Sequence, residues 1–507
     1  PQATLVENHV AIFLVLGLRL TNDDAIEIRT LAADCIETLL KRLDSKDTGA
    51  LVVLLQDMLC STLLKQRELA TQLLLRIIRN NPQVRFISGW LDKVLPTLLQ
   101  NLVPQATVGT GATEGKFVKP LAPITTLLHG DPWADHLIIQ TLNFFEELLR
   151  LYPAMVTTAQ YNDAIDSLAY TVQSLLSSAH QWVRIGALKV LHLVMNELDY
   201  DAIHERIRHV LEQRRKKKRT VEDEMLVDDA LDIEDSAVPS DGKQFLYGNP
   251  LRDCKTLTLD LCAQLTPNSG MINENDDEAA GLVTQLLFLI ANVLRAVPLE
   301  NEKISSKKVN LYWLVRRVRY IMQSEIVRTP HAFTLRKHAL HWLSSVVAIV
   351  EQDTLVQLAP SLLIPAVREL TAQDISGART ANDPSKIALR KVASKVGREI
   401  CTRLGTEQYD KIRNAIEVSL RRKRTGRRVK LAQEKVNQPI LAARRKEAKK
   451  TRTKEARKRK MADRDDPLDI DAESKGGVIP GMKHRATSKT RSKFSKNRRN
   501  MEAMFRE

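Results

Sequence analysis

Over the first 420 or so residues, apolar positions recur every third and fourth residue, the spacing of helices that bury one stripe. Aromatic residues make up only 5% of the chain and leucine is abundant, which favours helix-on-helix packing over sheets. The pattern predicts helices at 51–60, 136–152, 164–176, 281–297, 309–322 and 357–370. Breaks are marked by Asn81-Pro82, by the Gly- and Thr-rich stretch between Pro104 and Pro123, and by Asp131-Pro132 and Asn249-Pro250. The apolar run at 10–18 is too short to cross a bilayer and is followed by Asp23-Asp24, so it reads as a buried helix. The chain opens at Pro1 straight into this run, as a piece of a longer protein would.

The helices repeat a motif, Arg-x-x-Ala with an apolar residue three positions on. It occurs at Arg29/Ala32/Cys35, Arg67/Ala70/Leu73, Arg184/Ala187/Val190, Arg336/Ala339/Trp342 and Arg390/Ala393/Val396. Alanine lets two helices approach closely, the apolar residue joins the stripe that meets the next repeat, and arginine, one turn earlier, can reach acids or backbone carbonyls of the adjoining turn. Successive copies are 38, 117, 152 and 54 residues apart. The middle gaps lie near three and four multiples of about 39 residues, close to the period of helical-pair repeats, and the last implies an insertion. The segment His180-Gln181-Trp182-Val183-Arg184 looks like the start of the second helix of a HEAT repeat. A generic helical bundle reusing a common amphipathic pattern is the competing reading. The expected fold is all-α: a HEAT-like helical-repeat solenoid over 1–212 and 243–405, then a basic helical arm over 406–461 and an extended acidic-then-basic tail over 462–507.

Charge changes the picture at two places. Residues 213–242 run from Arg214-Arg215-Lys216-Lys217-Lys218-Arg219 into Glu222-Asp223-Glu224 and further acids. Such a stretch has too little apolar surface to order itself, and a disordered loop is expected. Its basic half reads as an import signal or as a solvated segment neutralised by its own acids.

The second place is the arm. The chain carries a formal net charge of +16, yet from Arg421 onward 30 Lys+Arg face 11 Asp+Glu, which leaves 47 basic and 50 acidic residues before it. The body is near neutral and the tail holds the whole excess. Tyr409, Ile412, Ile416 and Leu420 fall at helical spacing and are expected to pack on the last repeat. Charge then takes over. The candidate RNA-binding residues are Arg421, Arg422, Lys423, Arg424, Arg427, Arg428, Arg444, Arg445, Lys446, Lys449, Lys450, Arg457, Lys458, Arg459 and Lys460, with Arg498 and Arg499 near the end. A concentrated cationic segment binds polyanions. An anionic membrane would call for apolar anchors, and no Trp, Phe, Ile or Val lies between Leu441 and Lys460. Without interleaved aromatics, the arm is expected to hold phosphates, not to read bases. A helix with cations on all sides repels itself and is expected to settle on binding RNA. Pro439 is expected to kink it.

No enzymatic constellation emerges. There is no phosphate-loop motif, no H-E-x-x-H and no G-x-S-x-G elbow, and Gly109 to Lys116 reads as a flexible loop. His338 and His341 beside Trp342 read as packing residues. The five cysteines are scattered without metal spacing and read as free thiols. No cofactor, metal or small-molecule substrate is expected.

Several segments, taken in order, resemble one family. They are the Trp182-Val183 helix start, Gln244-Phe245-Leu246, and Leu311-Tyr312-Trp313-Leu314-Val315-Arg316-Arg317. Leu358-Ala359-Pro360 follows, with Ile364-Pro365-Ala366-Val367-Arg368-Glu369-Leu370. More specific are Arg421-Arg422-Lys423-Arg424, Val436-Asn437-Gln438-Pro439, Ala442-Ala443, Glu455-Ala456-Arg457-Lys458-Arg459-Lys460 and Pro480-Gly481-Met482-Lys483. The chain resembles the C-terminal part of the U-three small nucleolar RNA-associated protein twenty family, also called down-regulated in metastasis. The resemblance implies a HEAT-repeat structural factor of the small-subunit processome, the 90S pre-ribosome. Implied with it are a nucleolar location, a part in pre-18S rRNA processing and early 40S subunit biogenesis, and contacts with pre-ribosomal RNA, the U-three snoRNA particle and processome proteins. A HEAT-repeat nuclear transport adaptor is the alternative, and the cationic tail argues against it.

Overall fold

A computed structural model describes residues 25–42, 45–102, 132–178, 180–224, 249–265, 277–299, 309–323, 333–371 and 384–437, with isolated positions between 12 and 19 and between 443 and 455. Among the described residues there are fifteen α-helices, two short 3-10 turns and no strand. In chain order the helices are α1 Ile26–Leu40, α2 Ser45–Leu59, α3 Leu64–Asn80, α4 Val84–Asn101, α5 Pro132–Leu151, α6 Asn162–Leu175, α7 Gln181–Asn196 and α8 Tyr200–Glu224. They continue as α9 Pro250–Gln264, α10 Asp277–Leu294, α11 Leu311–Gln323, α12 Phe333–Ile349, α13 Gln352–Thr371, α14 Pro384–Leu404 and α15 Thr406–Asn437. Backbone packing divides the chain into two compact units, Pro1–Leu420 and Arg421–Glu507.

The first unit is built in two layers. One layer runs α1, α3, α5, α7, α10, α12, α14, each packed on the next. The other contains α2, α4, α6, α9, α11 and α13. Within it α6 reaches α9 through Gln173 Nε2 donating to Asp260 Oδ2 at 2.6 Å and Gln264 Nε2 donating to the Leu176 carbonyl at 2.7 Å. Facing pairs join the layers at α2–α3, α6–α7, α9–α10 and α13–α14. This is the helical-repeat architecture the periodicity called for. Helix α8 stands outside the alternation and packs on α9 and α10.

The repeated motif falls entirely on the first of these layers: all five copies lie on α1, α3, α7, α12 and α14. All five of its alanines are buried, Ala70, Ala187 and Ala393 completely. Two of the arginines reach backbone carbonyls of the adjoining turn. Arg67 Nε donates to the Ser61 carbonyl at 2.7 Å, and Arg184 Nη1 donates to the Ser178 carbonyl at 2.7 Å. In each case the acceptor lies six residues back, in the turn leading into the same helix, so the arginine ties that turn to its own helix. Each neighbourhood is also tied to the C-terminal end of a following helix of the other layer: Arg67 to Asn101 on α4 at 3.4 Å, the Leu176 carbonyl to Gln264 on α9, and Arg336 to Glu369 on α13 at 3.2 Å.

The repeat count inferred from spacing is corrected. From Arg67 to Arg184 the layer takes two steps, through α5, not three; from Arg184 to Arg336 it takes two, through α10, not four. The excess length lies in residues 103–131 and in α8 with 225–248, so insertions imitated multiples of the period. The two intervening helices begin with acids where the others carry arginine. Asp135 meets His180 at 3.1 Å, and Asp277 meets His338 at 2.8 Å, an interaction that holds the Asp277 carboxyl below its usual range.

The loop expected over 213–242 is also corrected at its start, because α8 continues as helix to Glu224. The helix is already nucleated by the buried Ile203 and Ile207, and extending it costs far less than starting one. Residues 225–248 lie outside the described residues, as do Gly109 to Lys116. In the run at 10–18, Gly17 is buried while Ile12 and Val15 are exposed. One helix among the described residues, α10, is long and apolar enough to cross a membrane. Its Val283, Leu286, Leu287, Ile290 and Leu294 are fully buried in the core between the layers, which accounts for its composition.

Candidate nucleic-acid interface

Helix α15 begins where α14 ends in Gly405, whose φ of 84° lies in the left-handed region that a side chain disfavours. The Gly405 N–H donates to the Cys401 carbonyl at 2.9 Å, closing α14, and its own carbonyl accepts from the Tyr409 N–H at 3.1 Å, opening α15. The first turns then pack as the spacing predicted. Ile416 is buried, and Tyr409, Ile412 and Leu420 pack partly buried on the core. Tyr409 rests over Gly397 of α14, where an added Cβ would meet its hydroxyl at 2.9 Å, and burial pushes its phenol pKa up. Acids and bases balance here: Glu407 pairs with Lys411 at 2.6 Å and Glu417 with Arg413 at 3.1 Å, both one turn apart.

At Arg421 the pattern changes, and there the division between the two compact units falls, inside α15. From Arg421 to Asn437 the sequence carries eight cations and one acid, Glu434. Arg421, Arg422, Lys423, Arg427, Arg428 and Lys430 are all exposed. At 100° per residue these positions occupy every side of the helix. Val429 and Val436 are exposed as well, so no apolar stripe remains. At about 1.5 Å per residue this stretch is about 25 Å long, roughly one cation per 3 Å.

Like charges sit one turn apart at Arg421/Arg424, Lys423/Arg427, Arg424/Arg427, Arg424/Arg428 and Arg427/Lys430. At about 0.2–0.5 kcal/mol each they oppose the helix by about 1–2.5 kcal/mol. The structure forms it nonetheless. The packed turns from Thr406 to Leu420 supply a nucleus, and each further residue adds a hydrogen bond at low cost. The described part of the helix runs to Asn437.

Of the candidate residues, the structure brings Arg421, Arg422, Lys423, Arg424, Arg427 and Arg428 together on one helix. Arg444 and Lys450 are exposed on helical positions further on. Arg445, Lys446, Lys449, Arg457, Lys458, Arg459, Lys460, Arg498 and Arg499 lie outside the described residues. His338 and Trp342 are packing residues: Trp342 is buried and His338 is bound to Asp277. Among the described residues no group of three or more His, Cys, Asp or Glu is arranged to hold a metal.

The profile of a family described as "Small subunit processome component 20 homolog, C-terminal" matches residues 100–463, which takes in most of the repeat body and the described part of the arm. No curated protein sequence matches the chain. Among solved structures, the crystal structure of an engineered protein aligns over 82% of this chain and 93% of its own, at 13% identity and a TM-score of 0.22, too low to bear on the argument.

Proposed function

This chain belongs to the small subunit processome component 20 family, and from that premise we propose that it is a non-enzymatic scaffold whose basic arm lies along the phosphates of pre-ribosomal RNA. Membership makes it a component of the small-subunit processome and so of ribosome biogenesis. The finer reading assigns the repeat layers to holding neighbouring processome proteins and RNA. It assigns the arm to pre-rRNA and the U-three snoRNA particle, in the nucleolus, in support of pre-18S rRNA processing and early 40S biogenesis.

The observation that carries this reading is the change at Arg421. A near-neutral body gives way within one helix to exposed cations on every side, with Glu434 alone to offset them up to Asn437. Arginine offers bidentate contacts to phosphate, and lysine adds point charge. A stretch with charge all round suits a ligand that surrounds it, as folded RNA does, better than a flat anionic surface.

Protein–RNA crosslinking with sequencing, on the full chain and on a chain ending at Leu420, tests the proposal. Discrete sites in pre-ribosomal RNA that disappear with the truncation are expected. Sites that persist unchanged would move the RNA contact to the repeat body and defeat the assignment to the arm.

A further inference from the structure

From Lys303 to Ser324 the chain holds six cations and no acid. Its described part is α11, a helix of the same layer as α9 and α13. The buried face of α11 is made by Leu311, Leu314, Val315, Val318, Ile321 and Met322, and Trp313, one turn before Arg317 on the side of Arg316 and Arg317, is buried as well. The opposite face presents Arg316, Arg317 and Tyr320, all exposed; Tyr320 is 72% exposed, the most open aromatic among the described residues. Spaced i, i+1 and i+4, the three lie on one side of the helix. Arg316 and Arg317 have no ion pair among the described residues.

Two details show this face to be preorganised. The Arg317 guanidinium sits over the Trp313 ring, 5.4 Å from its centroid, which restricts an otherwise mobile charge. Arg319, half-buried beside it, donates to Ser361 Oγ of α13 at 3.3 Å and fixes α11 against the next repeat. The adjacent α9 extends the surface with exposed Arg252, Lys255 and Leu259. Of the acids of α9, burial pushes Asp253 up to about 8, and Asp260 accepts a hydrogen bond from Gln173.

We propose that the exposed face of α11, Arg316, Arg317 and Tyr320, is a second RNA-binding site, on the repeat body and separate from the arm, that takes a single-stranded segment by stacking a base on Tyr320 while the two guanidinium groups hold its phosphates. An exposed aromatic flanked by cations is the arrangement that binds single strands with little sequence preference, because every base has a face to stack. The arm has charge without aromatics, and this face has both. A protein hot spot would also use Tyr and Arg, but it would seat the aromatic in a well-packed pocket. Here the ring stands clear of its surroundings amid cations, and the complementary partner is a polyanion with flat faces.

Ultraviolet crosslinking of the full chain to an oligouridine, followed by peptide mapping, tests the site and the arm in one experiment. An adduct on Tyr320 is expected. It should be lost in Tyr320→Leu, fall several-fold in Arg316→Gln/Arg317→Gln, and leave adducts on arm peptides unchanged. The side chains replaced are exposed, so the fold is retained and circular dichroism should match the parent. Adducts confined to the arm, with the Tyr320 peptide unmodified, would overturn the site while leaving the arm assignment standing. Protection of Tyr320 from nitration by an acidic polypeptide but not by the oligouridine would assign the face to a protein and would equally overturn it.

Discussion

The tie between Arg336 and Glu369 offers the sharpest test of how one repeat is held to the next. Arg336, on α12, directs Nη1 to both oxygens of Glu369 on α13, at 3.2 and 3.3 Å, and the two side chains are only 13% and 16% exposed. A hydrogen bond to a charged group contributes about 1.5–3 kcal/mol, and breaking a buried pair by deleting one partner costs about 3–5. Partial exposure places this pair at the lower end. Arg336→Met is therefore expected to cost about 3 kcal/mol, because Glu369 keeps a charge without its donor. Glu369→Gln, which keeps an acceptor, should cost about 1.5 kcal/mol. The double variant should cost no more than Arg336→Met alone, a coupling energy of about 1.5 kcal/mol. Repeat arrays need not unfold in one step, so the measurement is native-state hydrogen exchange read at amides of α12, α13 and α14, alongside urea denaturation. Protection should fall there and hold in α3 to α5. Additive single effects, with coupling under about 0.5 kcal/mol, would show that the tie is incidental and that apolar packing alone sets repeat order.

Other outcomes follow from the same geometry. Asp253 Oδ2 is buried without a donor among the described residues, and the carboxyl is pushed up to about 8, by burial first and then by Asp166. The folded chain thus binds a proton that the unfolded chain has released, and stability falls as pH rises from about 4 to about 8, by at most about 1.4 kcal/mol per unit. Asp253→Asn should flatten that slope in urea titrations and stabilise the protein most near pH 8; an unchanged slope would refute it. Gly405→Ala meets no atom within 4 Å, so its cost is purely conformational, about 1 kcal/mol, and should appear as faster exchange at the start of α15. Gly397→Ala puts a methyl group against the Tyr409 hydroxyl and should expose that ring, seen as increased nitration of Tyr409 at neutral pH.

The fold was legible because a repeat states its stripe many times. Burial of Ala70, Ala187 and Ala393 against neighbouring helices is what Arg-x-x-Ala encodes, and every copy fell on one layer. Step number was not legible, since α5 and α10 carry Asp135 and Asp277 in place of the arginine and insertions filled the missing distance. The end of α8 was missed because charge segregation speaks for disorder, while Ile203 and Ile207 had already nucleated the helix that carries the charges. In the arm, composition located the change at Arg421, and the helix expected from residue 406 is described as far as Asn437. The α11 face left a signal too: Arg316, Arg317 and Tyr320 on one side of a helix in a stretch free of acids. The exposure of Arg316, Arg317 and Tyr320 depends on how α11 packs against α9 and α13, which the local sequence does not state.

The salt dependence of RNA binding measures directly where phosphates are neutralised. Each phosphate contact on a single strand contributes about 0.7 to the slope of log affinity against log salt. Eight cations between Arg421 and Asn437 therefore predict that ending the chain at Leu420 makes the slope shallower by about 4 or more. A slope that changes by less than about 1 would place the contacts on the repeat body and contradict the account.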